Sequence, residues 1–370
     1  MFAECVVHAE VGWRFTPSAW SSRSDLVALI ADKRRSLYLT TVGTFVALDH
    51  DSFEVRRPDQ PTVRAPVRSI ESIVCFGNIT LSTAVMARCA EDGIDVSWLT
   101  SGGRFRFGLC APTHGNVLLR MEQWRAAVDT DRSVDIARTI VAAKLLNSRV
   151  VLLDAAKDRS SHSKALREAG DELAIFAERA RFAGDLDSLR GIEGIGAKRY
   201  FAEWSSLLSP EGFTFPGRVR HPPLDPVNAL LSFGYALLRT QCVAAAEHVG
   251  LDPQVGYLHP VRPGRPSLAL DLMEELRAPF VDRLVLTLIN RRQLSTKSFS
   301  VDPTGAWRLR DDSRTTFLAA FDSHLRTAIP HRVVDQDVER RKVPGLQALL
   351  LARHLRGDLT HYFPYRTTGR

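Results

Sequence analysis

Between residues 37 and 115, apolar and polar positions largely alternate, the period of half-buried strands. LYLTTVGTFVALD (37–49), FEVRR, VRAPVRSIESIVCFG, DVSWLT and RFRFGL carry the β-branched and aromatic residues that strands favour. Gly43, Asp49–Asp51 and Gly102–Gly103 punctuate them as turns. One short helix is predicted at Thr83–Glu91, stopped by Asp92–Gly93. After Asn116 the period changes to 3.6: VLLRMEQWRAAV, VDIARTIVAAKLLNSRVVLLDAA and ALREAGDELAIFAERA place apolar residues at i, i+3, i+4 and i+7. The helical pattern continues through LRGIEGIGAKRYFAEWSSLL, PVNALLSFGYALLRTQCVAAAEHV, LALDLMEELRAPFVDRLVLTLI and VPGLQALLLARHL. Proline-rich breaks at 222–226 and 260–266 separate these helices. The pattern predicts an α+β chain, with a small N-terminal β-rich domain (37–115) followed by a larger all-α domain (116–358). Residues 1–36 read as an irregular extension ending in an amphipathic segment, Asp25 to Arg35, and 359–370 as a tail.

Length agrees with two domains, since 370 residues exceed what one ordinary core organises. No apolar run approaches the roughly 18 residues of a membrane span, and the N-terminus lacks a basic-then-apolar leader. The expectation is a soluble cytoplasmic protein with no membrane partner. Five cysteines (Cys5, Cys75, Cys89, Cys110, Cys242) form no close pair, so buried inert thiols are expected rather than disulfides or a zinc site.

Charge adds a partner class. The chain carries 49 Lys and Arg against 42 Asp and Glu, a net +7, and only seven of the basic residues are lysine. Biased coding composition explains such an arginine excess. So does a need for guanidinium forks that grip phosphate. Arginines gather at 104–125, at Arg218 and Arg220, at Arg262 and Arg265, and at Arg291 and Arg292. That distribution points to nucleic acid, but modestly for a chain this size.

Candidate chemistry lies in the helical half. Glu193 sits among Gly191, Gly194 and Gly196 within RGIEGIGAKRYF, and each glycine costs a helix about 1 kcal/mol, so close approach by a neighbour is expected there. His259 precedes a proline-interrupted loop in GYLHPVRPGRPS. Asp271 and Glu274 are three apart, so a helix places both carboxylates on one face, among apolar neighbours. Each has an ordinary structural explanation: a solvated helix face, a core histidine, an interhelical salt bridge. Together they make a set of hard donors for Mg²⁺ or Mn²⁺, suited to phosphodiester chemistry beside arginines. IEGIGAKRYF also matches the hydrophobic-x-Gly-hydrophobic-Gly hairpin of helix-hairpin-helix DNA binders, in which Glu193 would be an exposed turn residue.

Longer strings carry a resemblance. LYLTTVGTFVALD, NVLLRMEQWR (116–125), RGIEGIGAKRYF (190–201), RHPPLDPVNALLSFGYALL (220–238), GLDPQVGYLHPVRPGRPSLALDLMEELR (250–277) and GLQALLLARHLRGD (345–358) follow one another in a familiar order. The chain resembles the CRISPR-associated spacer integrases (Cas one), most of all the type I-C branch, over nearly all of 37–358. The resemblance implies a β-rich dimerisation domain and a helical catalytic domain. Its metal ligands fall on Glu193, His259 and Glu274, with Asp271 as a supporting acid. It further implies endonuclease and integrase activity that inserts prespacer DNA into a CRISPR array by attack of a 3′-hydroxyl, with Mg²⁺ or Mn²⁺. The implied partners are a second copy, a Cas two dimer, double-stranded DNA and a Cas four nuclease. Arg218, Arg220, Arg262, Arg265 and Lys198 are expected to touch DNA by their proximity in sequence alone. Tyr200, Asn228 and Tyr235 sit in the same strings, with helix packing as their default role. Gly196 stands where the resemblance leads one to expect alanine, and the 36-residue extension is not usual in the family. A catalytically idle DNA-binding scaffold is the alternative, and a non-integrating metal phosphodiesterase a more distant one.

Overall fold

A computed structural model describes residues 34–109, 117–208, 212–219 and 222–369. The predicted segment Asp25 to Arg35 falls almost wholly outside these, as do Arg220, Cys5 and Cys110.

The β-rich region holds two four-stranded sheets. Its strands are β1 (Arg35–Leu39), β2 (Phe45–Asp49), β3 (Ser52–Arg56), β4 (Val63–Pro66), β5 (Ile70–Phe76), β6 (Thr80–Leu81), β7 (Asp95–Leu99) and β8 (Phe105–Leu109), with helix α1 (Thr83–Glu91) between β6 and β7. One sheet runs β1-β5-β7-β8, with β1, β5 and β7 parallel and β8 antiparallel at the edge. The other runs β4-β3-β2-β6. Alternation along β5 explains how the region is joined to the rest. Ile73 and Cys75 enter the core of the β-rich region, whereas Val74 and Phe76 point to the opposite face and enter the helical core. Arg314, 2% exposed, fastens the junction: its guanidinium donates to the carbonyls of Ser101 (2.9 Å) and Thr40 (3.4 Å) and lies 5.8 Å from the Phe76 ring.

The helical region comprises α2 (Val117–Val128), α3 (Thr130–Asp158), α4 (Ser163–Arg181), α5 (Leu186–Ala202), the single turn α6 (Trp204–Leu207), α7 (Pro226–His248) and α8 (Ser267–Glu274). A π-helical turn, Arg277–Asp282, leads into α9 (Arg283–Asn290). Pro279 lies in that turn and cannot donate to the helical ladder, which accounts for the break. Helices α10 (Asp311–Arg326) and α11 (Val343–Arg356) complete it. Helix starts follow the expected chemistry: Asp129, Asp185 and Asp225 cap α3, α5 and α7 by accepting backbone N–H groups. Helix α7 is long and apolar enough to cross a membrane by length and composition, yet it is a core helix, with Leu230, Leu231, Leu237, Leu238 and Cys242 fully buried.

Two expectations need correction. The helical half is mostly rather than wholly α. It also holds the hairpins β9–β10 (Phe299–Val301, Trp307–Leu309) and β11–β12 (Ala328–His331, Gln336–Glu339), whose strands are too short to show a period. Residues 359–369 are not a loose tail either. Tyr362 and Tyr365 are buried, and Glu275 accepts from the Tyr362 hydroxyl (2.5 Å) and the Tyr365 N–H (2.5 Å). Asn147 and Gln347 bind the carbonyls of Tyr365 (2.9 Å) and Phe363 (3.1 Å). The segment has no regular secondary structure, so its burial left no helical period to read. The thiols of Cys75, Cys89 and Cys242 are buried as expected, and burial pushes the first two up to about 12.

Burial raises the Glu275 carboxyl to about 8, although Tyr362, the Tyr365 N–H and Gln347 donate to it and pull it down. The folded chain therefore keeps a proton that the unfolded chain, with its carboxyl near 4.5, has lost. This group costs stability progressively as pH rises from about 4.5 to about 8. The stability of the native protein relative to Glu275→Gln is expected to fall across that window by up to ~1.4 kcal/mol per pH unit, read by urea unfolding. A pH-independent difference would contradict the buried, proton-holding carboxyl.

Candidate active site

Four of the residues singled out in the sequence meet where α3, α5 and α8 converge with the loop 252–260. The loop comes first because it aims His259. Asp271 on α8 is fully buried and accepts the backbone N–H groups of Tyr257 (2.6 Å), Leu258 (3.1 Å) and His259 (3.0 Å). Its Oδ1 also lies 2.6 Å from Nδ1 of the His259 ring. Such a carboxylate fixes Nδ1 as the protonated nitrogen and leaves Nε2 with a lone pair. Gly256 makes the approach possible: a Cβ there would stand 2.7 Å from both Asp271 Oδ2 and the Ser267 carbonyl carbon. From the other side Gln123 binds the carbonyls of Asp252 (2.8 Å) and Val255 (2.9 Å), and Arg190 grips the Leu258 carbonyl with Nε (3.0 Å) and Nη2 (2.8 Å). Asp271 is thus spent on the loop, and it orients the histidine rather than facing the centre.

Glu274, one turn along α8, faces the freed nitrogen, with its Oε1 3.7 Å from His259 Nε2. Its side chain is 3% exposed and two cations lie against it. Arg277 Nη1 lies 2.5 Å from Oε1, and Lys144 Nζ lies 2.7 Å from Oε2. Burial alone would raise this carboxyl, but Arg277 and Lys144 outweigh it and hold the group well below its usual range. Lys144 reaches from α3 and also forms an ion pair with Glu193 on α5, so one ammonium bridges the two glutamates. Gly196 sets that distance between helices. A Cβ there would stand 2.3 Å from Leu145 Cδ2, so the glycine lets α5 lie against α3, whereas Gly191 and Gly194 face open space. One glycine of the three has the close-approach role. The helix-hairpin-helix reading fails, since 186–202 is one continuous helix.

The site's donor types suit a hard divalent cation: two carboxylates and an imidazole whose second nitrogen is already bound to an acid. Glu274 Oε2 is buried without a well-aligned hydrogen bond, despite its ion pair with Lys144. Yet among the described residues no three Asp, Glu, His or Cys side chains are gathered into a ready metal cage. The Lys144 ammonium occupies the space between the carboxylates, where an ion would otherwise draw them together. The donors fit Mg²⁺ or Mn²⁺ in kind and convergence, with Lys144 as the group that must give way.

The expected DNA contacts scatter. Lys198 and Arg262 are exposed and Arg265 is half-buried. Arg218 is occupied internally, donating to Asn228 Oδ1 (2.7 Å) and Ser232 Oγ (3.2 Å) and lying 5.4 Å from the Tyr235 ring centroid. Asn228 itself braces 217–219 through the Gly217 carbonyl and the Val219 N–H. Tyr200 and Tyr235 both donate to Asp282, at 3.0 and 2.6 Å. Sequence reasoning missed Lys144, Arg277 and Arg190. A lysine inside the apolar run IVAAKLL was the available signal for the first.

Residues 37–323 match the family model described as CRISPR associated protein Cas1. The chain belongs to the Cas1 family. A CRISPR-associated endonuclease Cas1 of Moorella thermoacetica is 44% identical over 334 residues, covering 89% of this chain and 97% of that protein. One from Rhodospirillum rubrum is 43% identical, with the same shares covered. A Cas4/Cas1 fusion of Geobacter sulfurreducens is 34% identical over 88% of this chain and 59% of its own. Among solved structures, a CAS1 protein from Thermotoga maritima superposes with a TM-score of 0.75 at 26% identity, covering 87% of this chain and 97% of that one. A Cas6-RT-Cas1–Cas2 complex has a TM-score of 0.77 at 23% identity over 92% of this chain and 37% of that one, a likeness of fold. The β-rich-then-helical order of this Cas1 family member is therefore the family's own.

Replacing Lys144 tests whether the bridge holds the centre together. Lys144→Met leaves two carboxylates facing Arg277 alone, and is expected to cost about 3 kcal/mol in urea unfolding carried out in EDTA. Unchanged stability would show that the ammonium does not bridge them in solution.

Proposed function

We propose that the chain is a metal-dependent DNA integrase and endonuclease of CRISPR adaptation, of the type I-C branch, that inserts prespacer DNA into the array by transesterification. The observation that carries this reading is the arrangement of His259. Asp271 holds its Nδ1 proton, and Nε2 looks toward Glu274, which shares Lys144 with Glu193. Glu193, His259 and Glu274 would hold Mg²⁺ or Mn²⁺. When bound, the ion supplies Lewis acidity toward a phosphoryl oxygen and stabilises the charge that develops there. The chain's own residues prepare the rest. Asp271 keeps the imidazole in one tautomer. Arg277 and Lys144 keep Glu274 ionised in a buried setting and add positive charge where a phosphodiester would approach. In the reaction a DNA 3′-hydroxyl oxygen bonds to phosphorus as the bond to the departing strand breaks, so no water is consumed.

The family names support an endonuclease, and the names of relatives support partners: a Cas2 protein in the complex above, and a Cas4 nuclease by its fusion to Cas1. We extend these to this chain, together with a homodimer, double-stranded DNA and a cytoplasmic setting. One observation favours a second reading, an idle DNA-binding scaffold: the Lys144 ammonium stands between both glutamates and pairs with each.

Strand transfer on a branched half-site DNA separates the two. The native protein is expected to join strands in Mn²⁺ or Mg²⁺ but not in EDTA. Glu193→Gln is expected to lose at least ~10²-fold in rate while DNA binding persists. Tight binding without strand transfer under any metal, with the Cas two partner added, would leave the scaffold.

A further inference from the structure

Glu275 is a buried carboxylate that the reaction above does not use. It follows Glu274 in the chain, but the two side chains part. Glu274, with Lys144 and Arg277, lines a cavity of about 930 Å³. Glu275 is fully buried away from that cavity and faces the C-terminal segment 359–369. We propose that this segment is a strap that positions the metal ligands, with Glu275 and Asn147 as the positioning residues that pass its hold to Glu274. The proposal rests on the metal-centre reading and names what sets the geometry of that centre from behind.

The bonds run between the strap and two helices of the centre, α3 and α8. The Tyr362 hydroxyl donates to Glu275 Oε1 (2.5 Å) and the Tyr365 N–H to Oε2 (2.5 Å), so the strap engages both carboxylate oxygens. Gln347 of α11 donates to Oε1 as well (3.2 Å), and to the Tyr362 hydroxyl (3.0 Å). Asn147 closes the arrangement from α3. Its amide donates to the carbonyls of Glu275 (2.7 Å) and Tyr365 (2.9 Å), and its oxygen accepts the Thr367 N–H (2.9 Å). The Glu275 carbonyl lies at the end of α8, where carbonyls lack partners within the helix. Asn147 follows Lys144 by three residues on α3. One side-chain amide therefore ties the last turn of α8 to the stretch of α3 that carries Lys144.

Helix α8 needs such a hold. It has eight residues and runs on into the π-helical turn, so neither its length nor its continuation fixes its rotation. Asp271 binds it to the loop of His259, and Glu275 binds its end to the strap. Glu274 stands between these two fully buried carboxylates. Metal ligands work only when held to within roughly 0.5 Å of the productive geometry. Apolar side chains would bury the segment without desolvating Glu275, Asn147 and Gln347. What the hydrogen bonds add is direction.

The test measures Mn²⁺ affinity from the EPR signal of the free ion, without DNA and below each variant's unfolding transition. Tyr362→Phe keeps the ring and removes the hydroxyl; Asn147→Leu keeps the shape and removes the amide. Each is expected to bind Mn²⁺ roughly tenfold more weakly than the native protein, as outer groups around a metal site usually cost. Leu325→Ala, at a buried position on α10 of the same core, is the control and should keep native affinity even where urea unfolding shows lower stability. The second readout needs no variant. A strap that favours the metal-binding geometry must itself be favoured by the metal, so saturating Mn²⁺ should slow amide exchange across 362–369 roughly tenfold. Native affinity in either strap variant, an equal loss in Leu325→Ala, or exchange that Mn²⁺ leaves unchanged would overturn the proposal while the metal centre stands. No Mn²⁺ binding by the native chain would overturn the metal-centre reading and the strap's role with it.

Discussion

A single carboxylate organises the centre. Asp271 is fully buried, which an isolated anion could not sustain, and it is stable there because three consecutive backbone N–H groups and one imidazole converge on it. Those same bonds fold the loop 252–260 back over α8 and fix the ring of His259. The geometry needs Gly256, because any side chain there would meet both the carboxylate and the α8 backbone. It also needs Gln123 and Arg190, which hold the loop from α2 and α5. The histidine's loop is held from three helices, α2, α5 and α8.

Around this fixed point the centre is a balance of buried charges. Glu274 remains ionised in the core because Arg277 and Lys144 stand against it. Lys144 links Glu274 to Glu193, so α3, α5 and α8 meet through one ammonium. Farther out, Tyr235 has the guanidinium groups of Arg218 and Arg277 each 5.4 Å from its ring and gives its hydroxyl to Asp282. Buried ion pairs of this kind are weak contributors to stability, since desolvation offsets most of their attraction. Their concentration beside a cavity points to a chemical rather than a structural purpose.

Much of this was legible in the chain. Alternation through 37–109 and the 3.6 period after 117 located nearly every major element, and Asp271 with Glu274 on one helix beside His259 marked the centre. What escaped is instructive physically. The three glycines around Glu193 announced a close approach, but not that Gly196 alone makes it, where α5 lies against Leu145 of α3. Lys144 itself hides in an apolar run, because a helical pattern records burial and not what a buried charge faces. Tyr362 and Tyr365 are held by Glu275 and Asn147, more than 80 residues away in sequence, and an irregular segment has no period to announce such contacts. Arg262 and Arg265, just after His259 in sequence, are less involved than Arg277, three residues beyond Glu274, whose guanidinium pairs with that carboxylate.

The most direct measurement is anomalous scattering from crystals grown with Mn²⁺ and without DNA. If Glu193, His259 and Glu274 form the centre described, a manganese peak appears within ~2.0–2.3 Å of all three side chains, with the Lys144 ammonium withdrawn from between the glutamates. A map with Lys144 still bridging Glu193 and Glu274, or with manganese bound only elsewhere, would contradict the central claim.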